Sequence, residues 1–218
     1  MVAEERKITG YYPVSFKIRG IKCVVVGGGG VALRKVKALL ECGAHLTVVS
    51  PKVSSEVLEL AEGKAIRLIH RRYRTADLKN AAIVIAATDD RKVNRKVAGD
   101  AKKVRAWVNV VDDPEPSDFI VPSVVRRGDL TIAISTGGMS PALARKIRTR
   151  LEDSFGEEYA LLVSLVEEVR STLRRRGIRV NAERWQNALD LDFLAQLLRT
   201  GQKDKAKAVL MKKLKKTN

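Results

Sequence analysis

Gly27, Gly29 and Ala32 fall at the spacing G-x-G-x-x-A, directly behind the apolar run Cys23 to Val26 and at the head of a segment with helical periodicity. Gly27 permits a tight turn, Gly29 lets a pyrophosphate approach the backbone, and Ala32 lets helix pack closely on strand. The helix start adds unpaired amides and partial positive charge for the phosphates. This is the chemistry of dinucleotide recognition, and the flanking strand, turn, helix and second strand from Lys22 to Pro51 weigh against a plain glycine turn. The usual acidic clamp for the adenosine ribose is missing, because the second strand ends in Ser50, Pro51 and Lys52. Ser50 or backbone groups must substitute, and Lys52 is placed to meet a 2′-phosphate, so these residues leave NAD against NADP open. His45 and His70 are the only histidines and share no ligand spacing with Cys23, Cys42 or the acidic residues, so no bound metal is expected.

The elements that must carry this turn read as alternating strands and helices. Tyr12 to Ile18 is a short strand or lead-in, Val31 to Cys42 a helix stopped by Gly43, and Leu46 to Val49 a β-branched strand. Ser54 to Glu62 reads as helix with Ser54 or Ser55 as cap, Ala65 to His70 and Ala82 to Ala87 as strands, Lys92 to Ala101 as helix and Trp107 to Val111 as the fifth strand. Continuous apolar strands separated by helices predict a Rossmann-type α/β fold, a doubly wound parallel sheet covered on both faces. Beyond Asp113 the alternation breaks. Phe119 to Val125 and Leu130 to Ser135 read as a hairpin, and a helix from Pro141 to about Glu152 starts behind Ser140 as N-cap. From Glu157 onward the pattern is helical, with Leu161, Leu162, Leu165, Val166 and Val169 in one apolar stripe and Leu189, Leu191, Phe193, Leu194, Leu197 and Leu198 in another. The expected organisation is a dinucleotide-binding domain over 1–114, a small α+β dimerisation region over 115–155 and a C-terminal helical domain over 156–218.

In 218 residues, 45% are hydrophobic and 31% charged, which suits a globular chain rather than a disordered one. The longest apolar runs are too short to cross a bilayer and Met1 to Lys7 is charged without an apolar core behind it, so a cytoplasmic protein is expected. A formal net charge of +17 calls for an anionic partner.

Tyr12-Pro13-Val14, the run GGGGVALRK from Gly27, Ala87-Thr88-Asp89, Asn109-Val110-Val111-Asp112, Pro122-Ser123 and Ser135 to Pro141 together resemble the precorrin-2 dehydrogenases, which also form the N-terminal part of multifunctional sirohaem synthase. The match runs in order from about residue 11 to about residue 155. The resemblance implies oxidation of precorrin-2 to sirohydrochlorin with NAD as hydride acceptor, in a homodimer; some members also insert ferrous iron, and for this chain that stays open. Asp112 matches the family aspartate implicated in catalysis, where a carboxylate at the end of a parallel strand accepts the proton lost as hydride leaves. A lone Asp near Pro114 is otherwise a turn residue. Positions near the cofactor carry over to Gly30, Val31, Pro51, Lys52, Thr88 and Asp89, although Asp89 and Asp90 also suit a helix cap. Asn109, Ser123, Thr136 and Gly137 are expected to face the substrate, with helix-approach geometry the equal alternative for Thr136; Arg145 is expected to do so from its charge, with a solvated helix face as the alternative.

Precorrin-2 carries eight carboxylates, so it answers the positive charge; Arg145, Lys146 and Arg148 are the cations considered for it, and the lysines from Lys203 to Lys216 are expected to be surface charge. A regulatory module that senses nucleotide without catalysis explains the glycine turn but not Asn109 to Asp112 or Thr136 to Pro141. Nucleic acid is not the expected partner, since aromatic residues are only 5% and no binding motif interleaves with the basic ones.

Overall fold

The computed structural model describes residues 10–215, so Met1 to Lys7 and Lys216 lie outside the described residues. The chain divides into two compact units, between Val121 and Pro122.

The first unit is built on five parallel strands, β1 (Lys22–Val26), β2 (His45–Val49), β3 (Arg67–Ile69), β4 (Ile83–Ala86) and β5 (Trp107–Val110), in the order β3-β2-β1-β4-β5. Helices α1 (Gly30–Glu41), α2 (Ser55–Glu62) and α3 (Arg91–Lys103) are the connections, as expected from the apolar runs. Side chains of each strand alternate between two cores. Val24, Val26, Val84, Ala86, Val108 and Val110 pack under α3 with Val97 and Ala101. Cys23, Val25, Val48 and Ile85 pack under α1 and α2 with Ala32, Val36 and Val57. A sheet buried on both faces has no polar side to alternate, which is why its strands are unbroken apolar runs. Helix α1 stops where Gly43 takes φ +74° and its N–H donates to the Leu40 carbonyl at 2.8 Å.

Of the two forms expected for Tyr12 to Ile18, strand or lead-in, the structure has the lead-in: the segment pairs with no strand and is mostly exposed, with Ile18 packed on the α1 core. One loop differs from expectation. The strand expected over Phe119 to Val125 begins later, because residues 113–119 fold back along the open edge of β5: Ser117 Oγ accepts from Val110 N at 2.9 Å and Asp118 Oδ2 accepts from Val108 N at 2.9 Å. These side chains satisfy edge amides that a sixth strand would otherwise take.

In the second unit the hairpin is β6 (Ser123–Arg127) paired antiparallel with β7 (Leu130–Ile134), followed by α4 (Pro141–Ser154). Ser140 caps α4 as expected, its Oγ accepting from Leu143 N at 3.2 Å. Four further helices follow, α5 (Glu158–Arg175), α6 (Ala182–Ala188), α7 (Leu191–Arg199) and α8 (Lys203–Lys215). The expected stripes are narrower than drawn: Leu162, Leu165, Val169, Leu194, Leu197 and Leu198 form the core, whereas Leu161, Leu191 and Phe193 are exposed. The basic segment from Lys203 is amphipathic, with Leu210 and Leu214 buried and the lysines outward, apart from Lys207, which is half-buried. Among the described residues no helix is long and apolar enough to cross a membrane.

Candidate functional site

The parallel register puts Val49, Val26, Ala86 and Val110 in one row across the sheet, so the segments leaving all four strands emerge along a single carboxyl edge. The chain runs outward one way through β2 and β3 and the other way through β4 and β5, which makes the gap between β1 and β4 the switch point where open α/β sheets bind ligands.

The glycine turn opens at that gap. Gly27 takes φ +128° with its N–H bonded to the Val49 carbonyl at 3.0 Å, and a Cβ there would collide with the Ala87 carbonyl. Gly28 is equally constrained, since a Cβ would run into the Lys52 carbonyl and lie 2.6 Å from Val53 Cγ1. Gly29 and Gly30 face open space, with nothing within 4 Å of a built Cβ. Gly29 is the N-cap of α1 and offers no side-chain acceptor, so the first amides of the helix, at Gly30, Val31 and Ala32, point out unpaired. Ala32 is fully buried against the sheet. Crowded glycines below and open glycines with unpaired amides above make a cradle that fits the pyrophosphate of a dinucleotide.

At the end of β2, Ser50 is buried and its hydroxyl donates to the Lys52 carbonyl at 2.5 Å, which closes the turn around Pro51 and commits that hydroxyl internally. Pro51 and Lys52 are exposed. At the end of β4, Thr88 is held by Asn94, whose Oδ1 accepts from Thr88 Oγ1 at 2.7 Å and whose Nδ2 donates to the Thr88 carbonyl at 2.9 Å. Asp90 caps α3, accepting from Lys92 N at 2.8 Å, while the neighbouring Asp89 is exposed and has no hydrogen-bond partner among the described residues.

Asp112 sits two residues beyond Val110, the β5 member of the row of strand ends. It is exposed and adopts φ +59°, the left-handed conformation, because the chain must reverse at once to return along the β5 edge; Asp113 N–H closes that turn on the Val110 carbonyl at 3.3 Å. Two strand spacings, roughly 10 Å, separate β5 from β1 and hence Asp112 from the glycine turn. Asn109 is buried and its Nδ2 donates to the Phe119 carbonyl at 2.9 Å, tying the strand to the returning loop. Lys35 completes this edge. It lies on the α1 stripe with Ala32, Val36 and Leu39, whose core also takes Val111 and Phe119. Burial, and then the neighbouring Arg34, push its ammonium below the usual lysine range, while the Asp112 charge draws it back.

In the second unit, Thr136 Oγ1 accepts from Ser140 N at 3.0 Å and so shapes the approach to α4, with Gly137 and Gly138 at φ +64° and +84°. Ser123 starts β6, half-buried. Arg145 and Lys146 are exposed on α4, but Arg148 pairs with Glu152 at 2.8 Å and offers no uncommitted charge. No group of three or more His, Cys, Asp or Glu able to hold a metal ion occurs among the described residues.

Gly28, Lys35 and Asn94 are the functional candidates that sequence reading missed. Gly28 and Lys35 lay in the quoted glycine run without a role, and only the packing of the Lys52 loop and of α1 supplies one. Asn94 carried no local signal, since its partner Thr88 is six residues away across a turn.

The family model described as putative NAD(P)-binding matches residues 14–123, and that of the sirohaem biosynthesis protein central region matches residues 127–154. The sirohaem synthase of Tolumonas auensis is 40% identical over 198 residues, which is 90% of this chain and 42% of that protein. The sirohaem synthase of Methylococcus capsulatus is 38% identical over 203 residues, 92% of this chain and 43% of that protein. The chain thus spans about two fifths of the length of these curated relatives. A solved structure described as SirC, precorrin-2 dehydrogenase, superposes with a TM-score of 0.72 at 28% identity, covering 93% of this chain and 100% of that one.

Proposed function

This chain belongs to the putative NAD(P)-binding family, and from that premise we propose that it oxidises precorrin-2 to sirohydrochlorin with NAD as the acceptor. The observation that carries the proposal is the shared sheet edge: a phosphate cradle at Gly27 to Ala32 and an exposed carboxylate at Asp112, two strands apart. A sensor of nucleotide needs only the first of these.

The oxidation removes a hydride and a proton from the macrocycle. When bound, the nicotinamide supplies the carbon that accepts the hydride. The amides of Gly30, Val31 and Ala32 hold the pyrophosphate; Gly29 leaves the space for its approach, and Gly27 and Gly28 let the turn pack against Ala87 and Lys52. Asp112 accepts the proton that is lost as the hydride leaves. Lys35, which feels the Asp112 charge, presents a cation to the carboxylate side chains of the substrate, whose local concentration the net positive charge raises. NAD as the acceptor follows from the precorrin-2 dehydrogenase resemblance; Lys52, the one cation between Ser50 and Ser54, is the residue that an NADP 2′-phosphate would meet.

The 115–155 region is assigned to dimerisation. On α4 only Ala144 is buried, while Leu143 and Ile147, one turn apart, are 52% and 38% exposed and Met139 before them is 80% exposed. Exposed apolar side chains on one short segment suit a protein interface.

The test is anaerobic incubation with precorrin-2 and either NAD or NADP, following NADH or NADPH and sirohydrochlorin by absorbance. NADH formed in step with sirohydrochlorin is the expected result; no reduced nucleotide from the wild type would sink the proposal. Light scattering of wild type and Leu143→Asp reads the dimer separately.

A further inference from the structure

The second unit contains a cavity of about 970 Å³ formed by the latter half of α5, the loop at 176–181 and α6. That size is at the upper end of the roughly 300–1,000 Å³ typical of small-molecule sites. Its lining combines Leu173, Ile178 and the half-buried indole of Trp185 with three guanidinium groups, Arg170, Arg174 and Arg179. Among the described residues none of the three arginines is paired with a carboxylate, although Arg148, Arg199, Lys203 and Lys207 of the same unit all are. None of these residues belongs to the candidate site above.

Three guanidiniums without a carboxylate partner around an apolar hollow keep their fork-shaped donor sets open, an arrangement that suits a multiply charged carboxylate. The apolar lining asks for more than inorganic phosphate, and a single-headed fatty acid leaves most of the guanidiniums unmet. Trp185 offers a flat face on which a conjugated ring stacks. An apolar macrocycle with carboxylates around its rim meets all three requirements. We infer that this cavity is a second binding site for carboxylated tetrapyrrole, with the ring against Trp185 and rim carboxylates on Arg170, Arg174 and Arg179. The choice of ligand rests on the function proposed above.

The sequence has two tryptophans, so the full chain carrying Trp107→Phe reports on Trp185 alone. Uroporphyrin, an octacarboxylate porphyrin, is the probe. It is expected to quench Trp185 emission saturably, and the pair Arg170→Glu and Arg174→Glu to raise the half-saturation concentration about tenfold, as loss of two exposed ion pairs with reversed charge implies. Precorrin-2 oxidation and helical circular dichroism should stay unchanged. Arg179→Glu alone should shift the midpoint in the same direction by less, and decides the matter if the double variant loses structure. Quenching that is linear with concentration, or a midpoint indifferent to all three substitutions, overturns the inference; so does saturable quenching by an acidic helical peptide with none by the porphyrin. The catalytic proposal fails instead by absence of NADH, a readout that porphyrin quenching does not enter.

Discussion

Replacing Asp112 by Gly, Asn and Ala separates what its backbone costs from what its carboxylate does. At φ +59° an L-residue carries strain of about 1–2 kcal/mol, with Asp at the low end because its short polar side chain tolerates this region. Glycine removes the strain but gives up about 0.5–1 kcal/mol of additional backbone entropy on folding. The net expectation for Asp112→Gly is stability equal to the parent or up to about 1 kcal/mol greater, a rise in Tm of at most about 2–4 °C for a chain of this size. Asp112→Asn should be neutral, and Asp112→Ala, which keeps the strain without the polar side chain, should be about 1 kcal/mol less stable. All three remove the proton acceptor and should lower kcat roughly 10²- to 10⁴-fold while leaving NAD affinity in place. Thermal denaturation by circular dichroism and anaerobic NADH production read the two properties on the same samples. An Ala variant more stable than the Gly variant refutes the left-handed turn; an Asn variant with full turnover removes Asp112 from the chemistry.

The two kinds of glycine in the turn should respond oppositely. Gly29→Ala meets open space at φ −85° and should fold normally yet bind NAD at least tenfold more weakly, whereas Gly28→Ala must displace the Lys52–Val53 backbone and should lower Tm; calorimetry of binding and of unfolding distinguishes them. In the second unit the Arg199 guanidinium, bonded to Glu158 at 2.5 Å, holds that carboxyl below the usual range. A lowered folded pKa means the ionised form adds stability above the unfolded value of about 4.3 and loses it as pH falls through the lower folded one. Wild type should therefore exceed Glu158→Gln in Tm at pH 7 and converge with it towards pH 3. Burial, with a further push from Cys42, raises the Cys23 thiol to about 11, so a disulfide reagent at pH 8 should label the native chain at Cys42 and reach Cys23 only on unfolding. Equal labelling rates would contradict the packing of β1.

The fold was legible because its strands are buried on both faces and its helices carry helical periodicity: Cys23 to Val26, Leu46 to Val49 and Ala82 to Ala87 can be read as strands, and Gly43 as a stop, from a few neighbouring residues each. Local chemistry likewise made Gly27 to Ala32 readable as a tight turn opening a helix and Ser140 as a cap. What stayed hidden depends on residues distant in sequence. Whether Gly28 can be anything else is decided by the loop at Lys52 and Val53, the orientation of Thr88 by Asn94, and the fate of Asn109 and of the segment before β6 by an open strand edge whose amides needed Ser117 and Asp118. The apolar stripes of the helical unit were drawn too wide because periodicity reports which side of a helix faces inward but not how far neighbours cover it, as exposed Leu161, Leu191 and Phe193 show. By itself, then, the sequence determined the parallel sheet and its glycine turn, since both follow from short-range spacing and burial. Only the tertiary structure decided that Asp112 stands two strands from that turn in a left-handed bend, and that Lys35 joins it, because strand order and the return of a loop along an edge are set by contacts between residues far apart in the chain.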